Sequence, residues 1–529
     1  MSSPVLLLVL LLLPLVGGAV VYALGRFSGD GSAKLAALAI SLIELVIAGV
    51  VWGGYSTADA AKGTRLQMTM SGNWISSFGV HFALGIDGIA LVMVALVAVL
   101  VPVVLLASWR HGSTEGELPA GRDFAGYFAA VLVMETFMMG VFLATDVFLF
   151  YVLFEGMLVP MYVLIGRWGG PRRQYAAMKF FLYSLLGGLV MLAALIGLYQ
   201  AGANVRGSGT FDWRELVAVA PQIPHSTQIW LFLGFFLAFA IKAPLVPLHT
   251  WLPDAGAEAP IGSGVLLVGV LDKVGTFGFL RYCLPLFPSA SRTLAPMVLV
   301  LAVLGVLYGA LVAVGQSDLK RWVSYTSIAH FGFIALGVFA FTSQAGTGAV
   351  LYMVNHGIAT GLLFVVVGMI IARGGSRKIG DYTGLAKRAP LLGGMFLLAV
   401  LCALALPGTN SFVSEFLVLL GSFPTRPVYT ILATVGIIFA ALYSLWVHQR
   451  VMQGPVGGAG VELAETRGRL VDLTRLEVAV VAPLVALILL LGFYPKPVLD
   501  VITPSVNSTL TELGVAPEAV PAATQGGQR

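Results

Sequence analysis

Long apolar runs separated by short polar ones dominate this chain, and nearly every run has the length of a membrane crossing. Roughly 20 apolar residues span the ~30 Å hydrocarbon layer of a bilayer. About fourteen such runs can be drawn: 4–24, 35–53, 86–109, 125–144, 147–167, 178–199, 228–247, 261–284, 294–315, 322–342, 346–372, 390–422, 427–448 and 477–494. The fourth and fifth depend on dividing one apolar stretch at Asp146. An even number of crossings puts both termini on one side. The first run has no basic stretch before it and reads as a retained helix, not a cleaved signal. The tail from Val501 to Arg529 is rich in Ala, Pro, Thr, Gln and Gly and is expected to be poorly ordered.

Two of these runs are broken by proline. Run seven contains Lys242-Ala-Pro-Leu-Val-Pro247 and run twelve contains Leu406-Pro-Gly-Thr409. Proline removes a backbone donor and leaves a carbonyl free, which membrane-depth backbone tolerates only beside protein or a water-filled cavity. The breaks fall at the same ordinal place in runs 4–8 and 9–13, two five-helix groups of opposite orientation. Paired interruptions of this kind point to an inverted-repeat transporter and its ion path. The expected fold is therefore an all-α integral membrane protein with about 14 transmembrane helices and two inverted five-helix repeats, each containing a broken helix. Its parts are residues 1–124 (helices 1–3), 125–284 (helices 4–8), 285–448 (helices 9–13), and 449–529, a loop, helix 14 and the tail.

Composition agrees. Of the 529 residues 58% are hydrophobic and 10% charged, against roughly 25% charged in a soluble domain, and mean hydropathy is +0.94. The net charge of +5 is spread over loops, with no basic stripe for nucleic acid. Nineteen of the 30 Lys and Arg fall in the odd-to-even loops and nine in the opposite loops and tails. The positive-inside rule then places the densest basic loops, around Arg172 and Arg377, in the cytoplasm and both termini outside. Cys283 and Cys402 form no C-x-x-C pair and read as small packing residues, not cluster or haem ligands. A Rossmann glycine fingerprint and a Walker A motif are both lacking, so no electron or nucleotide chemistry is expected in this chain.

The informative residues are charges inside apolar runs. Lys242, Lys273 and Glu155 sit deep in their segments, where a charge costs at least ~2.5–3.5 kcal/mol on insertion scales. Burial disfavours the charged form of each, while a nearby opposite charge favours it. A Glu155–Lys242 pair whose separation changes is thus a protonation switch; a static buried ion pair is the plainer alternative. Asp272 adjoins Lys273, but neighbours on a helix do not share a face, so Asp272 is expected to serve another partner or the helix end. His330 and His356 fall in consecutive runs among Ser, Thr, Tyr and Asn, and imidazole suits a proton relay. Glu415 follows the second break by two turns and is a candidate exit group. Glu135 is a further intramembrane carboxylate of secondary rank. His249, in the connection His249-Thr-Trp-Leu-Pro-Asp-Ala-Gly-Ala-Glu-Ala-Pro260, either lines an access path or belongs to helix caps.

At these residues the chain resembles the antiporter-like membrane subunits of respiratory complex I, the proton-pumping NADH:quinone oxidoreductase. The matching stretches are Phe150-Tyr-Val-Leu-Phe-Glu-Gly-Met-Leu-Val-Pro-Met-Tyr162, Phe239 to Asp254, Gln316 to Ser327, Leu406-Pro-Gly-Thr through Ser414-Glu-Phe416, and Leu491-Gly-Phe-Tyr-Pro-Lys-Pro497. The resemblance implies a proton-carrying role for Glu155, Lys242, Lys273 and Glu415, with His330 and His356 matching the family's histidines. It also implies a multi-pass protein of a bacterial inner (plasma) membrane. Its implied partners are other membrane subunits, including sister antiporter-like subunits, with flavin and iron–sulfur clusters in partner subunits and none here. One departure stands out: Gly256 follows Ala255 where the family often has histidine, leaving His249 or water to substitute. Multisubunit cation/proton antiporters and membrane-bound hydrogenases share much of the pattern and remain alternatives, as does a purely structural role.

Overall fold

In a computed structural model, residues 4–109 and 123–516 are described. Thirteen helices among them are long and apolar enough to cross a membrane, and two shorter apolar helices in succession occupy the remaining expected run, 390–422. In chain order these are α1 (Val5–Ser28), α2 (Asp30–Gly54), α3 (Gly88–Ala107), α4 (Phe124–Leu143), α5 (Val147–Trp168), α6 (Arg173–Arg206), α7 (His225–Lys242), α8 (Ile261–Leu286), α9 (Pro288–Val314), α10 (Leu319–Phe339) and α11 (Ser343–Gly374). The shorter pair, α12 (Pro390–Ala403) and α13 (Asn410–Ser422), comes next, then α14 (Pro427–Met452) and α15 (Arg475–Phe493). The single run expected over 390–422 is thus two half-helices, separated where Pro407 and Gly408 interrupt the ladder.

Aspartates start several helices. Asp87, Asp123 and Asp146 accept N–H bonds at the first turns of α3, α4 and α5, and Asp318 does so at α10. Each satisfies donors that a helix N-terminus leaves free and complements its dipole. The division at Asp146 is therefore real: the residue ends one crossing and caps the next. Helices α8, α10 and α11 form the interior, while α1, α2, α6, α14 and α15 present exposed Leu, Ile and Val outward. Lys273, His330 and His356 thus lie on the innermost helices.

Two elements differ from expectation. Between α2 and α3 lies an antiparallel hairpin, β1 (Gln67–Ile75) and β2 (Val80–Ile86). Part of the expected disordered tail is helix α16 (Lys496–Glu512), whose Val501, Ile502, Val506, Thr509 and Leu510 are buried. That spacing is an amphipathic helix period, which the Pro- and Thr-rich composition disguised. Residues 517–529 of that tail lie outside the described residues, as do residues 110–122. Helix α16 is fixed by polar contacts as well. Arg65 pairs with Glu512 and donates to Thr509 Oγ1 at 2.9 Å. The Gly88 N–H donates to Ser505 Oγ at 2.8 Å, and Arg281 on α8 pairs with Asp87 at 2.7 Å.

Candidate functional site

Helix α7 ends at Lys242 because Pro244 cannot donate and disfavours helical geometry at Ala243. Leu245 N–H bonds the Ala240 carbonyl at 2.9 Å, and the Trp251 indole takes the next free one, Ile241, also at 2.9 Å. Lys242 is left at the negative end of the helix dipole. It is fully buried, its Nζ has no hydrogen-bond partner, and it lies over the rings of Phe154 (4.9 Å) and Phe180 (5.5 Å). Phe154 precedes Glu155, whose Oε1 is likewise buried without a partner. Glu155 and Lys242 act on each other electrostatically but share no hydrogen bond, so the pair is open in this structure. Two glycines of α6 make the room. A Cβ on Gly188 would lie 1.6 Å from Glu155 Oε1, and one on Gly187 would lie 3.1 Å from Ala238 Cα on α7.

Helix α8 brings the next charges. It carries two stretches of wider π-helical turn, Leu267–Leu271 and Phe279–Cys283, on either side of Lys273; such turns recur at functional sites. A Cβ on Gly275 would collide with the Phe239 carbonyl and the Ala243 N–H, so this face of α8 meets the end of α7 backbone to backbone. Asp272, three residues earlier, shares that face. Asp272 is fully buried, neither carboxylate oxygen has a hydrogen-bond partner, and its charge acts on both Lys242 and Lys273. Of the two expectations for it, another partner or a helix end, the first fits: besides its neighbour Lys273 its charge acts on Lys242 across the α7–α8 contact. Lys273 points the other way. Its Nζ bonds the Val268 carbonyl and, at 2.6 Å, His356 Nδ1 on α11. With Nδ1 accepting, His356 Nε2–H donates to Ser327 Oγ at 3.0 Å.

The row continues on α10 and α11. The His330 and His356 rings are 5.2 Å apart, edge to face. His330 Nε2–H donates to the Ala403 carbonyl at 3.1 Å, leaving Nδ1 as an open acceptor. That carbonyl is the last of α12, free because the break follows it. Ala405 (φ 57°) and Gly408 (φ 96°) adopt the left-handed conformation there. The Tyr352 ring is 5.8 Å from His330, and its hydroxyl donates to Glu415 Oε2 at 2.8 Å. Asn355 Nδ2 donates to the Asn410 carbonyl at 2.7 Å, tying α11 to the start of α13 and fixing Glu415 one turn on.

Of the sequence candidates, Glu155, Lys242, Lys273, His356, His330 and Glu415 form this one row in this spatial order. Glu135 and His249 stand off it. Glu135 on α4 is fully buried with no partner and faces Glu44 on α2. His249 packs edge-on against Tyr308 at 5.0 Å. Nearby, Asp254 bonds Lys179 (2.7 Å) and Arg321 (2.6 Å). Burial acts to raise its carboxyl, but these bonds and charges outweigh it and hold Asp254 below the usual range. At Gly256 a Cβ would sit 2.5 Å from Ser324 Oγ, so Ser324 occupies the space a larger residue would need. Sequence reasoning missed Tyr352, which lies four residues before His356 and so shares its helix face. Glu44 carried the same signal as Glu155, an acid inside an apolar run.

Comparison with known proteins gives a consistent result. The family described as "NADH:quinone oxidoreductase/Mrp antiporter, TM" matches residues 144–440. The chain is 45% identical to NADH-quinone oxidoreductase subunit M of Mycobacterium tuberculosis, covering 96% of this chain and 94% of that protein. It is 38% identical to the protein of the same name from Rhodobacter capsulatus, covering 95% of each. Its fold matches a chain of respiratory complex I from Thermus thermophilus with a TM-score of 0.79 and 31% identity, covering 96% of this chain and all of that one. A chain of the Mrp complex from Dietzia shares the fold (TM-score 0.78, 23% identity), with 97% of this chain matching 53% of that one. The chain belongs to the NADH:quinone oxidoreductase/Mrp antiporter family of membrane proteins.

Proposed function

We propose that this chain carries protons across a bacterial inner membrane as a membrane subunit of NADH:quinone oxidoreductase, driven by electron transfer in other subunits. The observation that carries this reading is the succession Glu155, Lys242, Asp272, Lys273, His356, His330, Tyr352, Glu415. These are proton-exchanging groups on six helices, placed at membrane depth where each costs stability. A static scaffold gains nothing from them, since buried pairs stabilise less than apolar packing. A proton reaching Lys273 passes to His356 Nδ1 along a bond already formed, while Nε2–H releases one toward Ser327 and His330. Closing of the Glu155–Lys242 pair holds a proton on the lysine; opening lets Asp272 draw it inward. Each proton moved against 100 mV stores about 2.3 kcal/mol.

The two breaks, after α7 and between α12 and α13, stand at the fourth place of residues 125–284 and 285–448, which supports reading these as inverted five-helix repeats. The basic loops place both termini on the outer side. Flavin and iron–sulfur clusters belong to partner subunits in this reading, and sister antiporter-like subunits flank the chain. A cation/proton antiporter subunit is the second reading, supported by the family description and by the shared Mrp fold. Full coverage of the complex I chain against half of the Mrp chain supports the first.

The test is Lys242→Ala in the assembled complex, comparing acidification per NADH oxidised in vesicles with assembly on a native gel. An assembled variant with most pumping lost is expected. Assembly with an unchanged ratio removes Lys242 from the path.

A further inference from the structure

Glu44 and Glu135 form a second constellation that the row does not use. Helix α2 turns Ala33, Ala37, Ser41, Glu44, Ala48 and Val51 inward, a mostly small-residue face with one acid. A Cβ on Gly25 of α1 would meet both Ala33 and Ala125, so these two mark a common depth on α2 and α4. Glu44 lies eleven residues beyond the first and Glu135 ten beyond the second, rises of about 16 and 15 Å. Both helices run antiparallel to α1, which brings the carboxyls level near the bilayer centre. Both side chains are fully buried, none of their four oxygens has a hydrogen-bond partner, and the Glu44 charge acts on Glu135. Helices α1 and α3 bring no ionisable side chain to this depth. The other carboxylates and lysines deep on helices touching α4 are Glu155 on α5 and Asp272 and Lys273 on α8, all three committed to the row.

Two adjacent carboxylates without donors cannot both stay ionised away from water. What this site lacks is hydrogen. One proton between the two turns one oxygen into a donor and gives the other carboxylate its missing bond. A dehydrated metal cation is a poorer fit, because hard cations take six or more oxygens and the two carboxylates supply four.

We propose that Glu44 and Glu135 form a proton-binding site separate from the row between Glu155 and Glu415, in which one proton is shared between the two carboxyls. It stands next to the lipid-facing helices α1 and α2 and holds a proton that the lysine–histidine row does not.

The test uses the assembled complex in native membranes and dicyclohexylcarbodiimide, which partitions into lipid. The reagent takes the proton of a carboxylic acid on nitrogen, while the carboxyl oxygen bonds its central carbon. Peptide mass mapping near neutral pH is expected to find one adduct per chain, on Glu44 or on Glu135 and never on both. Removing one charge by Glu135→Gln lets the remaining Glu44 ionise more readily, so its adduct falls about tenfold, the effect of a one-unit shift; Glu44→Gln does the same to Glu135. Wild-type protein unlabelled at both positions overturns the proposal, and this arm needs no variant to fold. Labelling of Glu44 unchanged by Glu135→Gln also overturns it, since the carboxyls then act alone. Protection by sodium but not by choline overturns it in favour of a metal cation.

Discussion

Gly188→Ala tests the role of Glu155 without altering its chemistry. The added Cβ would lie 1.6 Å from Glu155 Oε1, and ordinary contact begins at 3.4 Å, so the oxygen must retreat by about 1.8 Å. The carboxylate is the free end of a flexible side chain, and an off-rotamer torsion costs about 1 kcal/mol, so folding and assembly survive. Proton transfer is less tolerant: a misplacement of about 1 Å can lower a rate by on the order of 10²-fold. NADH-driven acidification of inverted vesicles, normalised to complex content on a native gel, should fall steeply. Gly187→Ala is the control. Its Cβ meets Ile241 Cδ1 at 3.0 Å and Ala238 Cα at 3.1 Å on α7, perturbing packing without touching Glu155. Adding Glu155→Asp to Gly188→Ala draws the carboxylate back by about 1.5 Å, one carbon–carbon bond, and should restore part of the loss. Normal pumping by Gly188→Ala, or an equal loss in Gly187→Ala, refutes the reasoning.

Four further outcomes follow from the geometry. Asp272→Asn keeps the shape but not the charge between the lysines, and coupled turnover should fall by about 10²-fold with assembly intact; a wild-type rate would show that the lysines communicate without it. Glu415→Asp should retain more turnover than Glu415→Gln, because a relay group must ionise, and Tyr352→Phe should fall between them; the reverse order would make Glu415 a structural acceptor. Ala405→Gly relieves a left-handed alanine and should raise the Tm of the solubilised complex, by up to about 1 kcal/mol in stability; a lowered Tm would place the strain elsewhere. Asp254 is held below its unfolded value of about 3.9, so its stabilisation is present above that pH and lost as pH falls through its folded value. The Tm advantage of wild type over Asp254→Asn should therefore vanish in acid, and stay below about 1 kcal/mol at neutral pH because the ion triad is partly exposed.

The membrane fold was legible because burial in lipid writes itself into length and hydropathy, and both broken helices were legible because each break pairs a proline with a second proline or a glycine, Pro244 with Pro247 and Pro407 with Gly408, whereas the lone Pro102 and Pro296 ride inside continuous helices. Lys242, Lys273, Glu155 and Glu415 stood out for the same reason: an ionisable group in an apolar run conflicts with its surroundings. Other features depend on distance across the bundle. The face of α8 that Asp272 shares with Gly275 matters only because α7 ends against it, and nothing local in Val265–Leu280 says so. Glu44 carried the full signal, yet its meaning comes from Glu135 on a helix two crossings away. Helix α16 was hidden by a composition that looks disordered until Val501, Ile502, Val506 and Leu510 are placed on one side.

The contact between Arg65 and α16 also sets an order of events during synthesis. Arg65 and Glu512 are 447 residues apart in the chain, a wait of about 20–90 s at ~5–20 residues per second. Throughout that interval the hairpin between α2 and α3 exists without the helix that closes it, and Gly88 N–H has no Ser505 to receive its bond. Arg281 arrives midway to join Asp87, so α8, with Lys273 aboard, is fastened at that end before the final piece is made. A nascent chain halted before Ser505 would therefore hold every group of the row while the end that carries the hairpin stayed open. A helix made late thus seals a hairpin made early.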